Sequence, residues 1–177
     1  SPSAVRCVIG APGGGGSTDL ATGFGAGRGY DLDPWFTTKG LPGNPGISDL
    51  QLAAAGCDLI IVHGYSQGGR LAKEWYCSGE TLGGRMVGYV LDDPSYLPDE
   101  GVPCTPGSGV HVALYATKMS PTDDRWTMDY YQSGNGYGAT IDKTAARIGA
   151  PIQVSPRYLH IPYTQPSPPE ILRGGWW

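Results

Sequence analysis

Residues 58–75 read "DLIIVHGYSQGGRLAKEW", and how these positions are read decides the fold. Leu59 to Val62 form an unbroken aliphatic run, the composition of a strand covered on both faces. Gly64 and Gly68 then bracket a turn at Ser66. From Gln67 the spacing becomes helical, with Leu71 and Trp75 recurring on one side. A buried strand running through a tight turn into an amphipathic helix is half of a βαβ unit, so a parallel sheet is expected rather than a sandwich.

Working outward, the same alternation recurs. Apolar runs predict strands over 5–9, 58–62, 86–91 and 110–116, with a shorter one over 152–154, and helical spacing predicts helices over 48–55, 67–77 and 141–148. The class is therefore α/β, with a central, mostly parallel sheet and one domain over 1–177, of which 161–177 is a proline-rich tail. Segments 12–46, 92–108 and 120–138 are too long to be simple connections. In an open parallel sheet, loops of this length at the carboxyl ends of strands surround the site.

Composition narrows the function. Charged residues are only 16% of the chain and the net charge is -4, so no basic stripe exists and nucleic acid is excluded as a partner. No apolar run approaches the ~20 residues that span a bilayer. Residues 1–30 lack a signal-peptide pattern, so export would require a leader already removed. Cys7, Cys57, Cys77 and Cys104 form no C-x-x-C pair, which argues against structural zinc and for disulfides in an oxidising, extracellular setting; spacing leaves the pairing open.

The strand–turn–helix context gives the G-x-S-x-G at 64–68 its meaning. Small residues two positions either side of Ser66 let strand and helix approach, the turn lifts the hydroxyl above the sheet, and the Gln67 amide at the helix start faces a developing oxyanion. A serine nucleophile needs a base. His63 is fixed by the strand before the turn and His111 opens another strand, which leaves His160, in "YLHIPY", as the base. Two aspartate pairs compete for the acid, Asp92-Asp93 after "MVGYVL" and Asp123-Asp124 after "VHVALYATKMSP". Asp124 is preferred over Asp123, and that pair over Asp92-Asp93, whose competing role is turn formation or loop capping before Pro94; the choice of acid stays open among these positions. A second oxyanion amide is assigned to Ala11, in the glycine-rich "GAPGGGGSTD" at 10–19. That loop lacks a following G-K-[ST] and an acidic partner, so it is not read as a nucleotide cradle.

The runs "CDLIIVHGYSQGG", "RMVGYVLDDPSYLP", "SPTDDRW" and "HIPY" resemble the cutinase-like serine esterases of the three-layer α/β-hydrolase fold, most closely the lysin B esterases of mycobacteriophages. The resemblance covers about 57–163; residues 12–46 lack a counterpart, and Ala11 stands where the family has a hydroxyl residue. It implies hydrolysis of lipid or mycolyl-type cell-envelope esters by a Ser66, His160, Asp124 triad, without metal or organic cofactor. It also implies that Cys7 pairs with Cys57, leaving Cys77 with Cys104. Trp126 and Tyr163, with Trp35 and Phe36 from the early loop, are assigned to an acyl groove. The rival reading is a non-catalytic binding or structural module, such as a virion component, self-assembling through the tail with Trp176 and Trp177 as anchors.

Overall fold

The computed structural model describes residues 4–14, 36–84, 86–99, 101–161 and Trp176. Along the chain these form β1 (Arg6–Ala11), β2 (Phe36–Gly40), α1 (Ile47–Ala54), β3 (Leu59–Tyr65), α2 (Gln67–Cys77), β4 (Met86–Asp92), β5 (His111–Ser120), β6 (Asp123–Trp126), α3 (Thr127–Tyr131), α4 (Thr140–Ile148) and β7 (Ile152–Tyr158). Seven described strands share one sheet, ordered β2-β1-β3-β4-β5, with β7 on the far edge of β5. All of these neighbours are parallel; only the short β6 runs antiparallel to β5. The chain is thus an α/β protein with a mostly parallel sheet.

Burial follows from the side-chain alternation of strands. Cys7, Ile9, Ile60, Val62, Val87, Tyr89, Leu91, Leu114 and Ala116 form one face and join a core with Leu50, Ala72, Trp75 and Ile141 of the helices. The residues between them point the other way and are also buried: Val8, Ile61, His63, Tyr65, Val90, Asp92, Ala113, Tyr115 and Thr117. This double coverage explains why the strands read as continuous apolar runs. On the second face the Trp176 ring lies over Gly88, where a Cβ would collide with it, and stacks on His111 at 5.4 Å between centroids.

Two disulfides fasten the sheet. Cys7–Cys57 joins β1 to the approach of β3, and Cys77–Cys104 joins the end of α2 to the loop after β4, the pairing that the resemblance implies. Loops of 50 and 27 residues correspond to roughly 4 and 3.5 kcal/mol of closure entropy removed from the unfolded chain.

Some described elements go beyond the sequence expectation. β2 lies in the segment read as a loop because "FTTKG" has little apolar content, and its pairing with β1 is made by backbone. β6 and α3 lie in the expected loop over 120–138, followed there by a single 3-10 turn, Ser133–Asn135. Lys118 pairs with Tyr158 on one edge and Trp126 on the other, so β6 extends the edge that β4 leaves at the Asp92–Tyr115 step.

Chain direction across the sheet reverses between β1 and β3. From β1 the chain goes outward to β2, whereas β3, β4, β5 and β7 step away on the other side. Ligands of open parallel sheets bind at the carboxyl ends of the strands flanking such a reversal. Ser66 follows the last residue of β3 at this position.

Candidate functional site

Ser66 has φ 57° and ψ -116°, a conformation that non-glycine residues rarely hold. Such a residue costs about 1–3 kcal/mol and persists only when its surroundings over-determine it. Here they do. The Ser66 N–H donates to the Asp92 carbonyl at 3.1 Å, and the Ser66 carbonyl accepts from Arg70 at 3.1 Å and Ser95 at 3.0 Å. A Cβ at Gly64 would run into the Gly68 carbonyl, and one at Gly68 into the Ala11 carbonyl. The two glycines are thus required by close approach of strand, helix and loop, as their spacing predicts.

His160 follows β7 on a short turn, where Leu159 takes φ 64° and donates its N–H to the Lys118 carbonyl at 3.0 Å. The imidazole Nε2 lies 2.9 Å from Ser66 Oγ, and Nδ1 lies 2.7 Å from Asp93 Oδ2. An ionised carboxylate can only accept, so Nδ1 carries the proton and Nε2 is left to accept from the serine hydroxyl. The Asp93 carboxylate is fully buried and further accepts from Thr117, through its N–H at 2.9 Å and its hydroxyl at 2.7 Å. Thr127 Oγ1 closes the set 3.0 Å from that hydroxyl. Ser66, His160 and Asp93 come from the carboxyl ends of three different strands.

The acid is where the sequence expectation needs correction. Asp124 does not approach His160; it lies on β6, its side chain 86% exposed, paired with Lys118 Nζ at 3.0 Å. Asp123 pairs with Arg125, whose guanidinium holds the carboxyl below the ordinary carboxylate range. Register is the physical reason. Asp92 is level with Tyr115, so Asp93 stands at the rim beside the strand-to-helix elbow at Ser66, whereas Asp124 lies nine residues beyond Tyr115 on an extension past the rim. The signal was present in "YVLDDP": an apolar strand that ends on its aspartates puts them at the carboxyl rim, next to the strand bearing the serine.

The other assigned residues fall as follows. Gln67 opens α2, so its N–H is among the helix-start amides with no acceptor inside the helix. Ala11 is buried inside the sheet as the register partner of Gly64. The loop meets the elbow two residues later: a Cβ on Gly13 would lie 3.4 Å from Ser66 Cβ. Trp126 packs against the core under Lys118, 5.8 Å from its ring, and makes no described contact with the triad. Tyr163, Trp35 and Trp177 lie outside the described residues, as does most of 12–46; Phe36 begins β2. Among the described residues, the aromatics that meet His160 are Tyr65, stacked at 4.6 Å, and Tyr131, edge-on at 5.7 Å. His63 is a buried structural histidine, 3.2 Å from Asp92, as its place in the strand predicts.

Among the described residues no three His, Cys, Asp or Glu side chains gather as a metal site would require, and no helix is long and apolar enough to cross a membrane. A cavity of about 490 Å³ borders the C-terminal half of α2, between Glu74, Asp99, Val102 and Arg147. None of Ser66, Asp93 or His160 lines it. The triad geometry, and not this cavity, therefore marks the candidate site. No protein-family model, curated protein or solved structure matches the chain.

Proposed function

We propose that this protein is a serine esterase of the α/β-hydrolase type, cleaving carboxylic esters through an acyl-enzyme on Ser66. The observation that carries this reading is the continuous line from Ser66 Oγ through both His160 nitrogens to the buried Asp93 carboxylate, with steps of 2.9 and 2.7 Å. A lone serine–histidine contact can be incidental; one on a strained elbow, backed by an orienting carboxylate, has the parts that nucleophilic catalysis needs.

Ser66 Oγ attacks the ester carbonyl carbon while Nε2 of His160 takes its proton. The imidazolium formed is held by the Asp93 carboxylate. The oxyanion is received by the Gln67 amide and by an amide of the loop after β1, at Ala11 or at Gly13, which comes close to Ser66. Each such donor contributes on the order of 3 kcal/mol in the transition state. Collapse breaks the carbon–oxygen bond to the leaving alcohol, which takes the proton from Nε2. Water, deprotonated by the same nitrogen, then attacks the acyl carbon; the bond to Ser66 Oγ breaks, the carboxylic acid leaves, and the proton returns to Oγ.

Resemblance directs the substrate class to lipid or mycolyl-type envelope esters met outside the cell, and the two disulfides fit an oxidising compartment. In the rival structural-module reading Trp176 and Trp177 anchor a neighbouring subunit; that the Trp176 ring lies against Gly88 and His111 of its own sheet favours the enzyme reading. The test is reaction with a fluorophosphonate probe and turnover of short-chain p-nitrophenyl esters, each with Ser66→Ala as control. An unmodified wild-type serine and equal turnover in both proteins would remove the esterase reading.

A further inference from the structure

The residues one step before the triad form a second layer. Tyr65 and Asp92 are register partners on neighbouring strands, and their successors are Ser66 and Asp93. Both side chains lead to the carbonyl of His160. The Tyr65 hydroxyl donates to it directly. Asp92 Oδ1 lies 3.4 Å from Nη2 of Arg157, whose Nη1 donates to the Leu159 carbonyl at 2.7 Å and to the His160 carbonyl at 3.4 Å. The Arg157 guanidinium sits 5.4 Å over the Tyr65 ring. Tyr65, Asp92, Arg157 and His160 are each at most 5% exposed.

We propose that Tyr65 is a positioning residue for the general base, clamping His160 through its carbonyl and its ring at once. The inference rests on the esterase reading. His160 sits on a turn, and rotation of its ring by a few tens of degrees would break both triad bonds. The face of Tyr65, 17° from parallel at 4.6 Å, blocks that rotation, while its hydroxyl fixes the backbone from which the ring hangs. Because Tyr65 is the chain neighbour of Ser66, the clamp ties the base to the same rigid elbow that carries the nucleophile. Burial pushes the Tyr65 phenol well above its ordinary value, against the opposing pull of Arg157, so it remains a donor throughout the working pH range. A small misplacement of a catalytic group can cost about a hundredfold in rate.

The test compares Tyr65→Phe, which keeps the ring and removes the hydroxyl, with Tyr65→Leu, which removes both. Turnover of a short-chain p-nitrophenyl ester is expressed per serine titrated by the fluorophosphonate probe, so that loss of folded protein does not register. Expected are drops in kcat of about tenfold for Tyr65→Phe and about a hundredfold for Tyr65→Leu, with KM within about twofold of wild type. The deshielded Nδ1 proton of His160, read by NMR in the resting protein, should broaden in the same order. Unchanged kcat per titrated serine and an unchanged Nδ1 resonance in both variants would overturn the clamp. A wild-type protein inert to probe and ester, whose Nδ1 resonance is nevertheless lost in the variants, would remove the esterase reading and leave the clamp standing.

Discussion

Asp93 Oδ2 lies 2.7 Å from Nδ1 of His160, although 67 positions separate them in the chain. The contact exists because β4 is the immediate neighbour of β3 and ends at the level of the elbow, while the chain leaving β7 folds back over the same rim. It decides which of two aspartate pairs orients the imidazole.

The two aspartates are separable by substitution. Asp93→Asn should leave the geometry nearly intact but favour the wrong imidazole tautomer, lowering kcat by up to about ten-thousandfold. Asp124→Asn removes only an exposed pair with Lys118 and should keep kcat/KM within about twofold. Steady-state kinetics on a short-chain ester checks both, and the reverse ranking would return the acid to Asp124.

The elbow should tolerate no added methyl group. Gly68→Ala places a Cβ inside the Ala11 carbonyl, and since the loop, strand and helix are all fixed there, one of them must move. A loss of at least about 3 kcal/mol is expected in urea denaturation, against well under 1 kcal/mol for Gly134→Ala, where a Cβ meets nothing within 4 Å.

Lys73 gives stability a pH dependence of known sign. Its ammonium is buried under the loop after β4, 3.2 Å from Asp99, and burial lowers its pKa below the ordinary 10.5 despite the opposing pull of that carboxylate. The unfolded chain therefore binds more protons than the folded one between the lowered value and 10.5, and the contribution of Lys73 to stability rises with pH across that window. The difference in unfolding free energy between wild type and Lys73→Met, measured by denaturant titration at successive alkaline pH values, should move in favour of wild type as pH increases. A flat or falling difference would contradict the assignment.

Trp176 reports on closure of the second face. Gly88→Ala puts a methyl group where the indole lies, so the ring should leave His111 and become solvated. Emission should shift to longer wavelength in Gly88→Ala relative to wild type, and Trp176→Phe should abolish that difference. Identical spectra for wild type and Gly88→Ala would show that the ring does not occupy this place in solution.

Local pattern carried most of the fold. The runs at 5–9, 58–62, 86–91 and 110–116 each lie largely within a described strand, and the helices over 48–55, 67–77 and 141–148 match to within a residue at each end, because covered strands and amphipathic helices write their burial into composition. The elbow was equally legible, since its two glycines answer a steric demand made within a few residues. What sequence left open, or assigned wrongly, depends on distance across the sheet. Asp93 rather than Asp124 beside the imidazole, and the approach of Tyr65 and Arg157 to His160, follow from strand order, register and where each strand ends. Those quantities are set by packing between segments far apart in the chain, so only the tertiary structure could decide them.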